Sequence, residues 1–220
     1  MNPSKQAEEI LSRLENEYHE IRGTSLKWRT PLDLLVATIL SAQSTDEQIN
    51  KVTKVLFKKY RTARDYAEAD RMVFEEDIKP SGFFKRKADW IQSATKTILQ
   101  EYDGEVPDSM EDLLRLKGVA RKTANIVLQN AFNKTVGIAV DTHVMRLSQR
   151  LKFTDQKDRD KIEQDLMKLI RFQKWKNVNL LLIAHGRRIC TARKPLCSKC
   201  VINGLCPSAF TFPHNEHINK

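Results

Sequence analysis

Four cysteines within one short segment constrain this chain more than any other feature of its sequence. Cys190, Cys197, Cys200 and Cys206 follow one another in a single stretch, and the rest of the 220-residue chain contains no cysteine. Cysteines that serve only as small core residues would be spread along a chain. The spacing C-x6-C-x2-C-x5-C therefore indicates either a metal site or a group of disulfides.

Three kinds of site use cysteines that lie this close together. Disulfides are typical of small secreted domains, whereas this chain is long enough to bury a core without them. Its first residues, MNPSKQAEEILSRL, also lack the apolar segment of a signal peptide. Zinc held by four thiolates usually takes two C-x2-C pairs, and here there is one. Four thiolates on one loop suit a 4Fe–4S cluster, which the spacing favours, while zinc stays open.

The net charge indicates a polyanionic partner. The chain carries 38 basic against 28 acidic residues, a formal charge of +10, and its pI is about 9.5. Each phosphate that a basic protein neutralises releases counterions, so we favour nucleic acid as the partner. The many acidic residues leave ordinary surface charge as the alternative. No apolar run approaches the ~18 residues of a membrane-spanning helix, so we expect no membrane partner.

Hydrophobic periodicity predicts helices along nearly the whole chain. Thr30 and Pro31 open an apolar helix, since proline is favoured at the first helical position. Thr45 and Gln48 have the spacing of a capping box before the next helix. Alternating strand patterns are scarce. We therefore predict an all-α fold.

The segment LLRLKGVARKTANIV, at 113–127, predicts two helices joined by a sharp turn at Gly118. The apolar stripe of the second helix comprises Ala124, Val127, Leu128 and Ala131. Lys122 then falls on the opposite face, in the first turn of that helix. Free N–H groups and the positive helix end suit a phosphate there, and Lys117 and Arg121 add charge. A plain hairpin with solvated lysines is the alternative.

Asp141, in the segment V-D-T-H at 140–143, heads a further predicted helix. The ordinary role of such an aspartate is to cap the helix, and caps are far commoner than catalytic acids. Its pairing with Lys122 is more informative. If the two helix starts face one cleft, an amine nucleophile and a carboxylate would together suit imine chemistry.

Five segments together resemble the endonuclease III family of DNA glycosylases. They are LSAQSTDEQINKV at 40–52, GFFKRKA at 82–88, GEVPDSMEDLLRLKGVARKTANIVLQNAF at 104–132, IAVDTHVMRL at 138–147 and HGRRICTARKPLCSKCVINGLC at 185–206. The likeness runs through nearly the whole chain, in order. A helix-hairpin-helix followed by V-D-T-H and this cysteine loop is specific to the family as a set.

The resemblance implies the all-α helix-hairpin-helix DNA glycosylase fold, with two helical lobes and a C-terminal 4Fe–4S cluster loop. The lobe at 24–136 would be a six-helix barrel that contains the helix-hairpin-helix. The other lobe would combine 1–23 with 137–220 and hold the cluster on the four cysteines. DNA would lie across the cleft between the lobes.

The resemblance also assigns roles to individual residues. Lys122 matches the family's nucleophile, and Asp141 matches its catalytic aspartate. Gln43 matches the residue that fills the gap left by a flipped nucleotide, and Phe83 matches the position that wedges near the orphaned base. Further DNA contacts are expected in the hairpin and the cysteine loop, at Lys117, Gly118, Val119, Ala120, Arg121, Arg193 and Lys194.

The hairpin of this chain departs from the family pattern at two positions. The family commonly reads L-P-G-V-G, and this chain has Lys117 and Ala120 at the second and fifth positions. Without the proline the turn is looser, and Ala120 fits only if its φ is negative. Gly118 is kept, so we expect the hairpin to bind the DNA backbone.

The function implied by the resemblance is that of a base-excision-repair DNA glycosylase with AP lyase activity. It would remove oxidised or damaged pyrimidines through a lysine Schiff base and cleave the strand by β-elimination. The expected partner is double-stranded DNA with a damaged base or an abasic site. We expect a monomer in a bacterial or archaeal cytoplasm, associated with the nucleoid.

Two other functions would fit part of this pattern. A mismatch or uracil glycosylase of the same superfamily would typically have tyrosine where this chain has Lys122. A non-catalytic helix-hairpin-helix module with a redox cluster would bind DNA without chemistry. The presence of both Lys122 and Asp141 favours the glycosylase with lyase activity over either.

Overall fold

The computed structural model describes residues 2–21 and 23–212. Every regular element over those residues is helical and none is a strand, which confirms the all-α prediction. The α-helices are α1 (Pro3–Glu17), α2 (Pro31–Leu40), α3 (Asp46–Lys59), α4 (Ala63–Ala67), α5 (Arg71–Ile78), α6 (Phe84–Glu101), α7 (Met110–Arg115), α8 (Arg121–Ala131), α9 (Thr142–Arg150), α10 (Arg159–Leu169) and α11 (Phe172–Arg188). Short 3₁₀ turns lie at Lys79–Ser81, Cys197–Lys199 and Asn203–Leu205.

The chain forms two compact units. The hairpin unit is Thr24–Val136 and contains α2 to α8. The cysteine unit comprises the described residues of Met1–Gly23 and Gly137–Lys220, with α1, α9 to α11 and the cysteine loop, which we define as residues 189–212. Among the helices described, none is long and apolar enough to cross a membrane.

The core of the hairpin unit is built around α2, whose residues are buried from Leu32 to Leu40. Thr30 caps this helix by accepting a hydrogen bond from the amide of Asp33 at 3.1 Å, and Pro31 is its first residue. A helix that is apolar on every side must be enclosed by others. Helices α3, α6 and α8 pack against it and supply that enclosure.

The start of α3 differs from the predicted capping box. The Thr45 hydroxyl accepts from the amide of Gln48 at 3.3 Å, which is the expected half of the motif. The other half, a hydrogen bond from the backbone amide of Thr45 to the Gln48 side chain, is not formed. Nε2 of Gln48 instead donates to the carbonyl of Pro80 at 3.3 Å, so this amide forms a tertiary link to the turn before α6.

In the cysteine unit, α1 buries Ile10, Leu11 and Leu14 against α10 and α11. Its Gln6 also donates to the carbonyl of Leu205, at 2.7 Å, and so binds the first helix to the cysteine loop. Helices α9 and α11 pair closely. Gly186 permits this approach, because a Cβ at that position would lie 2.8 Å from Nδ1 of His143.

Candidate nucleic-acid interface and metal centre

The turn between α7 and α8 requires a glycine for two separate reasons. Gly118 has a φ of +83°, in the left-handed region that favours glycine. A Cβ added to it would lie 2.7 Å from both Cβ and Cγ of Trp90 on α6. The turn is closed by the amide of Val119, which donates to the carbonyl of Leu116 at 3.1 Å.

Helix α8 begins directly after this turn. Ala120 is its N-cap with a φ of −99°, so the negative φ that an alanine needs is present. An alanine side chain has no oxygen to accept from the N–H groups of the first turn, so other groups must bind them. Lys122 lies in that first turn and is half-buried, whereas Ala124 and Val127 face the core.

Lys117, the residue that stands in place of the family's proline, forms an ion pair with Asp89 on α6. The two charged atoms are 2.9 Å apart, and both side chains are about half exposed. An exposed pair of this kind contributes little stability, about 0–1 kcal/mol. The ion pair nevertheless links the turn to α6. Nothing in the sequence indicated Asp89 as the partner.

Gln43 and Phe83 share an uncommon backbone conformation. Their φ values are +56° and +49°, in the left-handed region that non-glycine residues seldom adopt. Gln43 lies between α2 and α3, and Phe83 is the N-cap of α6. Both side chains are exposed, Phe83 to 59%. A strained backbone that presents an exposed side chain is a feature that clusters at functional sites.

Asp141 is the N-cap of α9 in the cysteine unit. Its Oδ1 accepts from the amides of His143 and Val144, each at 2.8 Å. The carboxylate is partly exposed, and both of these bonds use the same oxygen. The structure thus places Asp141 in the cysteine unit and Lys122 in the hairpin unit.

Arg146 connects the helix that Asp141 begins to the cysteine loop. Its Nη2 donates to the carbonyls of Gly186 and Cys190, both at 3.0 Å, and lies 3.2 Å from Nδ1 of His143. Burial lowers the pKa of His143, so this ring is neutral near pH 7. The contacts of Arg146 with Gly186 and Cys190 span 40 and 44 residues, so no local pattern of the sequence indicated them.

The four cysteines lie around one cavity of about 410 Å³, counting the part open to solvent. Its other lining residues include Leu147, Arg150, His185, Ile189 and Phe212. Within the described part of the chain, no three His, Cys, Asp or Glu side chains converge on a single metal ion. All four cysteines line the same cavity, as the ligands of one polynuclear cluster would.

The electrostatics of the cavity also fit a bound cation cluster. Burial, followed by the neighbouring cysteines, raises the pKa of Cys200 to about 11, and burial also raises that of Cys206. Four thiolates in such a place need positive charge beside them, which iron supplies. The donor set and its surroundings therefore fit an iron–sulfur cluster.

Nitrogen atoms of side chains lie beside Sγ of Cys190 and Sγ of Cys200, and the sequence indicated neither neighbour. Nη1 of Arg150 donates to Sγ of Cys190 at 3.1 Å. Nε2 of His185 lies 3.4 Å from Sγ of Cys200, and the hydroxyl of Tyr18 lies 2.8 Å from the other ring nitrogen. Burial raises the pKa of Tyr18 to about 12 and lowers the pKa of His185 to about 4, so both side chains are neutral near pH 7. In the tautomer in which Nδ1 accepts from the Tyr18 hydroxyl, the proton on Nε2 faces sulfur.

Arg150 also shapes the part of the cysteine loop that carries two predicted DNA contacts. Its guanidinium donates to the carbonyls of Thr191 and Ala192, each at 2.8 Å. The Thr191 hydroxyl then closes a local turn by donating to the carbonyl of Lys194 at 2.7 Å. Arg193 and Lys194 are exposed on this turn.

Comparison with known proteins identifies the family. Residues 36–172 match the HhH-GPD superfamily of base excision DNA repair proteins, and residues 190–206 match the iron-sulfur binding domain of endonuclease III. The endonuclease III of Synechocystis sp. is 54% identical over 205 residues, which cover 93% of this chain and 93% of that protein. This chain belongs to the endonuclease III family.

Solved structures of endonuclease III share its fold. A non-covalent endonuclease III–DNA complex has a TM-score of 0.89 at 39% identity, covering 95% of this chain and 97% of the other. A trapped covalent endonuclease III–DNA intermediate, the estranged-adenine complex, also has a TM-score of 0.89 at 39% identity, covering 95% and 98%. The family resemblance and the helix-hairpin-helix glycosylase fold are thus confirmed.

As a member of the endonuclease III family, the chain carries a 4Fe–4S cluster. The matched iron–sulfur domain begins at Cys190 and ends at Cys206. This decides between the iron and zinc alternatives that the cysteine spacing left open. The match confirms the cofactor prediction.

We expect Gly118→Ala to destabilise the hairpin unit by about 2 kcal/mol or more, because a left-handed φ and a collision with Trp90 add together. Gly104→Ala is a matched control. Gly104 has the same φ of +83°, but a Cβ there would meet only Cδ2 of Leu99 at 3.7 Å. Urea unfolding of both variants measures the difference, and equal losses would contradict the role given to Trp90.

Replacing Cys197, which is 8% exposed, by serine should remove the cluster and release the cysteine loop. Arg193 and Lys194 would then no longer be held towards phosphates, so the slope of log K against log salt for DNA binding should fall by about 2. Iron content and binding at several salt concentrations measure both effects. Ser198→Ala, an exposed neighbour, is the control. An unchanged slope in an iron-free Cys197→Ser protein would show that the cluster does not shape this contact.

Proposed function

We propose that this protein is a base-excision-repair DNA glycosylase with AP lyase activity that removes oxidised or damaged pyrimidines from double-stranded DNA. The observation that carries the proposal is the position of Lys122, in the first turn of α8 directly after the Gly118 turn. Support comes from the 54% identical endonuclease III and from the similar structure of a trapped covalent endonuclease III–DNA intermediate. One chain carries both proposed catalytic residues, so the proposed reaction requires only a monomer.

Lys122 is the nucleophile of this proposal. Its neutral amine attacks C1′ of the damaged nucleotide, the new N–C1′ bond forms, and the glycosidic bond breaks with its electron pair leaving on the base. Transfer of the amine proton to O4′ breaks the C1′–O4′ bond, so the sugar ring opens and leaves a Schiff base between Lys122 and C1′. Removal of a C2′ proton then expels the 3′ phosphate oxygen. Water finally hydrolyses the imine and frees Lys122.

Asp141 is the carboxylate that acts beside Lys122 in this proposal. Its carboxylate stabilises the positive charge that develops at the sugar, or accepts a proton from Lys122. The two amide hydrogen bonds to Oδ1 fix the orientation of the group. A carboxylate that is already oriented does not need to reorganise during the reaction.

The hairpin and the cysteine loop bind the DNA backbone. The N-terminal amides of α8, behind Gly118, Val119 and Ala120, offer hydrogen bonds and the positive helix end to a phosphate. Lys117, Arg121, Arg193 and Lys194 contribute positive charge. When bound, the 4Fe–4S cluster cross-links four points of the loop and so maintains the shape of the turn that presents Arg193 and Lys194.

Gln43 and Phe83 act on the duplex at the lesion. Gln43 fills the gap that the flipped nucleotide leaves, and Phe83 wedges beside the orphaned base. Their exposure and left-handed backbone support this assignment. A damaged pyrimidine that stacks or pairs poorly costs less to flip than a sound one, which gives the enzyme part of its selectivity.

Replacement of Lys122 by glutamine should abolish the covalent enzyme–DNA complex, because the amide cannot form a Schiff base. The measurement is borohydride trapping on duplex DNA that carries one thymine glycol, beside a duplex with one abasic site. Lys96→Gln removes the same charge from an exposed position of the hairpin unit and should trap as the wild type does. Full trapping by Lys122→Gln would disprove its role, and wild-type trapping on abasic DNA alone would exclude thymine glycol as the substrate.

Asp141→Asn should slow base release by about 10²-fold or more while stability and DNA binding persist. Asparagine caps a helix as well as aspartate does, so only the charge is lost. Single-turnover excision with the DNA-binding constant separates the two effects. Asp158→Asn is the matched control, since Asp158 caps α10 through the same pair of amide bonds. Full excision by Asp141→Asn would reduce Asp141 to a helix cap.

A further inference from the structure

Lys87, on α6, is a buried cation that the mechanism above does not use. It is 1% exposed, although lysine is almost never fully buried unless it is paired. Burial, with a smaller contribution from Arg86, lowers its pKa to about 8. The ammonium is therefore costly where it lies. A methionine would fill a similar volume without that cost, so the cation requires a specific reason.

The ammonium of Lys87 is bound by two backbone carbonyls from different parts of the hairpin unit. Its Nζ donates to the carbonyl of Leu40 at 2.6 Å and to the carbonyl of Ser81 at 2.7 Å. Leu40 is the last residue of α2, where helix carbonyls lack an intrahelical partner and the dipole is negative. Ser81 ends the 3₁₀ turn before α6. One cation thus joins two chain segments that are otherwise far apart in sequence.

Each of these carbonyls lies two or three residues before an exposed residue with a left-handed backbone. Leu40 is three residues before Gln43, and Ser81 is two residues before Phe83. The cation therefore fixes the starting point of both loops. A hydrogen bond from Gln48, at the start of α3, to the carbonyl of Pro80 links the far end of the first loop to the second.

We propose that Lys87 is a positioning residue for lesion recognition, which holds the Gln43 and Phe83 loops together so that both side chains enter the duplex as one element. This inference rests on the proposed function, in which Gln43 and Phe83 act at the flipped nucleotide. It involves contacts of the hairpin unit only. Lys87 itself touches no DNA in this proposal and acts through the two loops.

The test compares Lys87→Met with Lys96→Met in the cluster-loaded, full-length protein. Lys96 is exposed on the same helix, so its substitution removes the same charge without touching either carbonyl. The probe is a duplex with a tetrahydrofuran abasic analogue opposite 2-aminopurine, whose fluorescence reports unstacking of the orphaned base. Dissociation constants for this duplex and for an undamaged duplex are measured in parallel.

Lys87→Met should lose most of the fluorescence response and bind the tetrahydrofuran duplex about tenfold more weakly, since it loses two bonds from a charged donor. Its affinity for undamaged DNA should stay within about twofold of the wild type, because no phosphate contact changes. Lys96→Met should keep both the response and the discrimination. An unchanged response and unchanged discrimination in folded Lys87→Met would overturn the proposal.

A positioning role also predicts non-additivity. In a Gln43→Ala/Phe83→Ala background, Lys87→Met should reduce discrimination no further, because the side chains it positions are already absent. A loss of the same size as in the wild-type background would show that Lys87 acts elsewhere and would overturn the proposal.

Gln48→Met provides a second variant in case Lys87→Met lowers the thermal stability too far. It removes only the partly exposed bond to Pro80 and leaves no buried charge. We expect a smaller loss of the fluorescence response in the same direction. A full response from Gln48→Met would contradict the linkage between the loops.

Measurements on the wild-type protein distinguish a failure of this inference from a failure of the proposed function. Trapping on abasic DNA together with a normal Lys87→Met response would overturn the inference alone. A wild-type protein that is not trapped, and that does not prefer tetrahydrofuran DNA to undamaged DNA, would overturn both.

Discussion

Carbonyl oxygens at helix ends and in irregular segments lack partners within a helix, and buried or half-buried cations bind them in both units of this structure. In the hairpin unit, Lys87 binds the ends of two segments that carry Gln43 and Phe83. In the cysteine unit, Arg146 and Arg150 bind successive carbonyls of the cysteine loop. In each case a cation from a regular helix determines the path of a segment that has little helix of its own. Four of the residues proposed to meet DNA lie on those segments, namely Gln43, Phe83, Arg193 and Lys194.

Features that depend on neighbours in the sequence could be predicted, and features that depend on distant residues could not. The all-α class, the glycine turn at 118 and the cap at Asp141 follow from local patterns of periodicity and spacing. The cysteine spacing and the family resemblance together indicated the cluster. The contacts of Lys87 with Leu40, Arg150 with Cys190 and His185 with Cys200 could not be predicted, because these pairs lie 47, 40 and 15 residues apart and no short motif records them. The predicted capping contact of the Gln48 side chain was wrong for the same reason, because its amide donates to the distant carbonyl of Pro80 instead.

The helix that Asp141 begins links capping, packing and the cluster loop within one short element. The same carboxylate that is proposed to act on the sugar closes the first turn of α9. Five residues after Asp141, Arg146 donates to the carbonyl of the first cluster ligand, Cys190. Gly186 lets α11 approach closely enough for this contact. A shift of the cysteine loop would therefore move the element that orients Asp141.

The discontinuous make-up of the cysteine unit has a consequence for biosynthesis. Helix α1 leaves the ribosome first, yet the helices that cover Leu11 and Leu14 begin only after residue 158. The hairpin unit is continuous and is complete at Val136, so it can fold while the rest of the chain is still being made. Until α10 and α11 have been synthesised, the apolar face of α1 lacks the two helices against which it packs. A cluster on the four cysteines likewise requires that synthesis has passed Cys206.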